Sequence, residues 1–189
     1  MIEPKSVTNF NRSDAELQTF WLFSIFVAGK NSDVASRCLA RFLARFHDKK
    51  PFEALGELGE TGIRNHLVAH RVGQYDRITK ALVDSIGLDL RSCSLEDLLA
   101  VRGVGNKTAR FFLLHSRPDI KVAVLDTHVL KWMASKVPED AIPKVTPTNP
   151  KIYQALEQKF LVLAGIYHPT TAIADLDLLI WTEQSGRLD

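Results

Sequence analysis

The chain has 189 residues, of which 46% are apolar and 24% charged, and its net charge is +2. That composition belongs to a globular protein with one or two lobes and excludes a disordered chain. Two cysteines, Cys38 and Cys93, exclude a disulfide framework and a four-cysteine cluster. The apolar run at residues 20–28 is too short to span a bilayer, and the opening Met-Ile-Glu-Pro-Lys is not a signal peptide. The expectation is a protein with no membrane partner that stays in the cytoplasm, with the nucleoid in a prokaryote.

The predicted elements are helices almost throughout. Leu17, Phe20, Trp21, Ile25 and Ala28 follow a 3.6-residue period over 15–28, with Ser13 or Asp14 as N-cap and Glu16 in the first turn. A second helix spans 32–46, with Val34, Cys38, Phe42, Leu43 and Phe46 on one side. A short helix at 52–58 precedes two more at 62–68 and 74–86, joined through Gly73. Helices at 95–101 and 107–116 follow, and Arg117-Pro118-Asp119 is a turn. Residues 121–125 alternate too briefly for a strand. A helix over 127–136 takes Asp126 as its N-cap. Pro138, Pro143, Pro147 and Pro150 make 137–150 a loop; Asn149 and Pro150 open a helix at 151–166, and the last helix is 170–184.

The most informative stretch is Val101-Arg102-Gly103-Val104-Gly105-Asn106-Lys107-Thr108-Ala109, with Asp126 19 residues after Lys107. Two glycines permit a sharp reversal and let a partner approach the backbone. A helix beginning near Asn106 would turn its free N–H groups outward beside Lys107, a site for one phosphate. The plainer reading is a tight turn between packed helices with a solvated lysine. No strand precedes the glycines, which disfavours a dinucleotide fold, and Gly105-Asn106-Lys107-Thr108 lacks the earlier glycine of a P-loop.

This segment resembles the helix-hairpin-helix signature of the DNA glycosylase superfamily, L-P-G-V-G-x-K-T-A followed by V-D-T-H. The match is complete from Gly103 to Ala109; Arg102 replaces the proline, and Leu125 intervenes between Val124 and Asp126-Thr127-His128. The 19-residue spacing is that of the 8-oxoguanine branch. The closing segment Ala174-Asp175-Leu176-Asp177-Leu178-Leu179-Ile180-Trp181 resembles the final helix of the small type-2 8-oxoguanine glycosylases, which read L-D-L-Y-L-W and then T-G-K. Ala28-Gly29-Lys30-Asn31-Ser32 resembles the loop that enters the gap left by a flipped base. The likeness runs from about residue 17 to the end, most specifically over residues 103–128.

The resemblance implies an all-α, two-lobed fold with the active-site cleft between lobes. One lobe would comprise 1–31 and 127–189, and the other 32–126, carrying the hairpin at 95–116. An iron–sulfur cluster, present in many endonuclease-III-like relatives, is excluded by the cysteine count. The implied activity is that of a bifunctional base-excision repair glycosylase/AP lyase removing 8-oxoguanine. Such an enzyme flips the nucleotide out of the stack. Asp126 would stabilise positive charge on the sugar, and Lys107 would attack C1′ to form a Schiff base. Gly103, Val104, Gly105, Asn106 and Thr108 would hold a DNA phosphate, with His128, Lys30 and Asn31 as further DNA contacts. Trp181 would stack on the extruded base. The carbonyls of Leu99, Val101 and Val104 would take Na+ or K+, no other cofactor being required.

Each assignment has a structural counterpart. Asp126 is also a helix cap, His128 a buried polar residue, and Trp181 a core residue one turn from Leu178. His66, His70, His115 and His168 show no metal-ligand spacing and read as surface or helix-packing residues. The ending Arg187-Leu188-Asp189 departs from the lysine with which type-2 relatives close the pocket. Charge supports nucleic acid only locally: residues 91–136 hold eight Lys or Arg against four Asp or Glu. The expected partner is duplex DNA with a damaged base, bound by a monomer. The alternatives are a glycosylase for another lesion and a non-enzymatic hairpin module, which would require neither Lys107 nor Asp126.

Overall fold

A computed structural model describes residues 2–138 and 141–185; the departing C-terminal residues 187–189 lie outside them. The α-helices are α1 (Asp14–Val27), α2 (Ser32–Leu43), α3 (Pro51–Ala69), α4 (Tyr75–Ser85), α5 (Leu95–Ala100), α6 (Asn106–Ser116), α7 (Thr127–Ala134), α8 (Pro150–Tyr167) and α9 (Ile173–Gln184). Short 3-10 turns occupy Pro4–Ser6 and Ala44–Phe46, and there is no strand among the described residues. The all-α expectation holds. No helix among these residues is long and apolar enough to cross a membrane.

Two compact units make up the fold: Met1–Val7 with Asn11–Val104, and Thr8–Phe10 with Gly105–Asp189. This partition differs from the lobes of 1–31 plus 127–189 and 32–126 that the resemblance implies. Two stretches make the difference: α1, which finds its packing partners in α2, α3 and α4, and residues 105–126, which belong to the second unit. The hairpin segment changes unit between Val104 and Gly105.

In the first unit the second half of α1 is buried on every side. Phe20, Trp21, Leu22, Phe23, Ile25 and Phe26 are all within 1% of full burial, as befits a helix that is apolar all round. Two polar side chains are buried with them: the Trp21 indole N–H donates to Ser85 Oγ at 2.7 Å and the Ser24 hydroxyl to the Phe20 carbonyl at 2.9 Å, which avoids the cost of unpaired buried donors. Ser13 and Glu16 form a capping box. The two short helices expected around residues 52–68 are one span, α3, broken at Gly59 with φ 62° and ψ 176°. Only glycine occupies that region without strain, so the break falls where the periodicity placed a gap.

In the second unit, α7, α8 and α9 enclose a core that includes Leu130, Met133, Tyr153, Phe160, Leu176 and Ile180, and α9 packs on both α6 and α7. The expected caps are present: Asp126 accepts from the His128 and Val129 amides, and Asn149 from Lys151 and Ile152, with Pro150 in the first turn of α8. α7 stops at Ala134 and α9 starts at Ile173, both shorter than the periodic pattern.

Candidate active site

The first unit ends in the glycine turn, held by two arginines. Gly103 has φ 82°, and a Cβ there would lie 2.7 Å from Arg77 Cγ and 3.0 Å from its carbonyl oxygen. Arg77 itself donates to the Gly103 carbonyl at 3.0 Å and to the Ile25 carbonyl at 2.8 Å. Arg102, which stands where the glycosylase pattern has proline, donates its backbone N–H to Asp84 Oδ2 at 3.0 Å. Its guanidinium grips the same carboxylate through both oxygens, at 2.8 and 2.7 Å. That hydrogen bonding holds the Asp84 carboxyl below the usual carboxylate range. A bidentate ion pair thus anchors the turn where a proline would have restricted it by ring closure.

Gly105 opens the second unit as the N-cap of α6, in extended backbone, with no side chain on the first-turn amides. A Cβ at Gly105 would meet nothing within 4 Å. The two glycines therefore make opposite predictions. Gly103→Ala is expected to cost about 1–3 kcal/mol from backbone conformation alone, with a further penalty for displacing Arg77, and to lower the melting temperature by several degrees. Gly105→Val is expected to leave circular dichroism unchanged and to cost no more than about 1 kcal/mol of stability, because valine is a poorer N-cap than glycine. It should weaken binding to damaged and undamaged duplex alike, because a branched side chain obstructs phosphate approach without touching base readout. Fluorescence anisotropy on both duplexes checks this; a loss confined to damaged duplex would contradict it.

Lys107, in the first turn of α6, has its Nζ 3.8 Å from Asp126 Oδ2, with side-chain exposures of 45% and 15%. Asp126 uses its other oxygen for the cap, accepting from His128 N at 2.9 Å and Val129 N at 2.8 Å. The carboxylate is fixed by one oxygen and presents the other to the lysine.

The segment leading to Asp126 has no regular secondary structure, and among the described residues no strand lies beside it. Side chains take the strand's place. Glu157 Oε1 accepts the Ala123 N–H at 2.8 Å; the Tyr153 hydroxyl donates to the Ala123 carbonyl at 2.9 Å and accepts the Leu125 N–H at 3.0 Å. Thr146 donates to the Leu125 carbonyl at 2.7 Å. Glu157 is in turn gripped by both arms of Arg110, at 2.7 and 3.1 Å, and Arg110 also donates to Asn106 Oδ1 at 2.7 Å. Arg110 lies over the Tyr153 ring, 4.4 Å from its centroid. Burial raises the Tyr153 phenol above its ordinary range. Arg110 and Glu157 are both buried, so removing either partner would leave an uncompensated charge.

The remaining sequence candidates divide. Lys30 and Asn31 are in the first unit. Lys30 Nζ donates to the Val72 carbonyl at 2.6 Å, and burial, then Arg77, lowers its pKa. Asn31 caps α2. His128 and Trp181 are half-buried in the second unit, and Thr108 is buried. The Val101 carbonyl accepts the Val104 N–H at 3.1 Å and so closes the turn. Among the described residues no group of three or more His, Cys, Asp or Glu is placed to hold a metal.

One of the four histidines is the helix-packing residue that the sequence reading allowed, with polar partners. His115, expected at a surface or in helix packing, is fully buried, with Nε2 3.1 Å from Asp177 Oδ2 and Nδ1 2.8 Å from Thr8 Oγ1. Sequence reasoning missed this chain and the Arg110–Glu157–Tyr153 group, because their partners lie 28 to 107 residues apart. The sole local signal was a carboxylate, Asp177, among apolar neighbours in the last helix.

No family model matches the chain, and no curated protein matches it in sequence. Two solved structures share its fold. A crystal structure of the Methanocaldococcus jannaschii 8-oxoguanine glycosylase/lyase, in complex with a 15mer DNA containing 8-oxoguanine, aligns with a TM-score of 0.74 at 21% identity, covering 96% of this chain and 88% of that one. A crystal structure of the 8-oxoguanine DNA glycosylase from the same organism aligns with a TM-score of 0.71 at 21% identity, covering 96% of this chain and 84% of that one. The chain therefore has the helical fold of these 8-oxoguanine glycosylases.

Proposed function

We propose that this protein is a bifunctional DNA glycosylase/AP lyase that excises 8-oxoguanine from duplex DNA. The observation that carries the proposal is the Lys107–Asp126 pair, an amine in the first turn of α6 and the carboxylate that caps α7, 3.8 Å apart. A phosphate-binding module needs no such pair. The fold shared with glycosylase/lyase structures supports the same reading.

In this mechanism the N–H groups at the start of α6 bind a backbone phosphate, with His128, Lys30 and Asn31 as further DNA contacts. The damaged nucleotide leaves the stack, and Trp181 offers a stacking face. As the N-glycosidic bond breaks, its electron pair leaves with the base and the sugar becomes oxocarbenium-like. Asp126 stabilises that charge. The Lys107 amine attacks C1′ and gives up a proton; O4′ takes a proton as the C1′–O4′ bond breaks, which opens the ring to a Schiff base, and loss of a C2′ proton then drives β-elimination, breaking the C3′–O bond with the phosphate as leaving group. A monovalent cation on the Leu99, Val101 and Val104 carbonyls would brace the turn.

The test is borohydride trapping of the protein on duplexes carrying one lesion each. Covalent capture on 8-oxoguanine duplex, with little on undamaged DNA, is the expected result. Capture on an oxidised pyrimidine instead would keep the chemistry and change the lesion. Binding without capture on any duplex would reduce the protein to a helix-hairpin-helix DNA-binding module.

A further inference from the structure

The sequence of α8 carries two apolar rows, and the fold buries one of them. Tyr153, Leu156, Phe160, Leu163 and Ala164 belong to the core of the second unit. Ile152, Ala155, Lys159, Val162 and Ile166 form the other row, spaced 3, 4, 3 and 4 residues apart. It runs about 21 Å along the helix, at a rise of about 1.5 Å per residue. Ile152 is 52% exposed, Val162 61% and Ile166 64%, and Ala155 is exposed with them. Single exposed apolar side chains are ordinary, but a contiguous row marks a binding surface. Alternating steps of three and four are the seam of a coiled coil, which keeps one face toward a second helix over successive turns.

The first half of the row is one wall of a groove of about 630 Å³, with Ala141, Ile142 and Pro143 opposite. The charged residues lining this groove are Lys151 and Lys159, and neither is paired with a carboxylate among the described residues. Lys159 is the middle position of the row. In a two-fold dimer packed row on row it would face its own copy, whether the helices ran parallel or antiparallel. Like charges in register disfavour such a pair. We propose that this face of α8 docks an amphipathic helix of another protein, with an apolar row of the same spacing and a carboxylate at its centre to meet Lys159. The partner's apolar side chains cover Ile152, Val162 and Ile166, and Lys151 favours further acidic residues along the groove. Tyr153 and Glu157, which hold residues 123–125, lie on the buried face of the same helix, so docking leaves them in place.

The probes are two synthetic peptides that carry the same row, with leucine at its outer positions and either glutamate or lysine at its centre, and are otherwise identical. Because Lys159 is central, the peptide's direction does not alter the pairing. Fluorescence anisotropy with the full chain is expected to show saturable binding of the glutamate peptide and binding at least about tenfold weaker for the lysine peptide. Lys159→Glu should reverse that preference. Val162→Asp should remove binding of both peptides with an unchanged melting temperature, since the position is 61% exposed. No binding of the glutamate peptide to the wild-type chain, or a preference unaltered in Lys159→Glu, would overturn the proposal. Sedimentation equilibrium of the chain alone is expected to give a monomer. Self-association abolished by Val162→Asp would make the row a seam between two copies and overturn it as well.

Discussion

Lys107→Gln is expected to abolish borohydride trapping and strand nicking while binding to damaged duplex survives. Glutamine approaches lysine in length and keeps a polar end, but its amide is not a nucleophile, so no Schiff base forms. The position tolerates the change: Lys107 is an exposed residue in the first turn of α6, and substitutions at such sites stay within about 0.5 kcal/mol. Loss of capture therefore cannot be blamed on unfolding, which a melting curve verifies. Capture at the wild-type rate would show that another amine does the chemistry.

Asp126→Asn is expected to slow base excision by about 10² or more, the factor that corresponds to a carboxylate contribution of about 3 kcal/mol. The geometry separates this loss from a folding defect. Asp126 caps α7 through Oδ1 and faces Lys107 through Oδ2. Asparagine retains an oxygen for the His128 and Val129 amides, as good a cap as aspartate, and puts an uncharged amide where the second oxygen was. Asp126→Ala removes both functions and should cost roughly 1 kcal/mol of stability besides. Single-turnover excision and melting temperature measured on both variants distinguish the roles. Unimpaired excision by Asp126→Asn would leave Asp126 as a helix cap alone.

What the sequence made legible was local. Helix caps at Ser13, Asp126 and Asn149 announce themselves because cap and helix are adjacent in the chain, and each is found. The glycine turn and the start of α6 are legible for the same reason, and the Lys107–Asp126 pairing was implied by the resemblance to the glycosylase motif. Arg102 was readable only as a departure; its purpose needs Asp84, 18 residues away on α4. The unsupported alternation at 121–125 looked like a failed strand, and its real partners are the Glu157 and Tyr153 side chains on α8. His115 illustrates the limit best. Nothing next to it in the chain distinguishes a solvated histidine from one with no exposed surface. Its neighbours Thr8 and Asp177 come from the two ends of the second unit.

Because Glu157 and Tyr153 rather than a neighbouring strand hold residues 123–125, the mount of Asp126 is only as firm as the helix that carries them. A sheet would distribute that duty over many backbone bonds, whereas here two side chains one turn apart on α8 hold both amides. Transient fraying of α8 would release the Ala123 and Leu125 amides to solvent together, and Asp126 would lose its alignment in the same event. Amide-exchange protection at these two positions thus becomes a gauge of how often the carboxylate is held ready, and changes on α8 far from any DNA contact can act on excision through it.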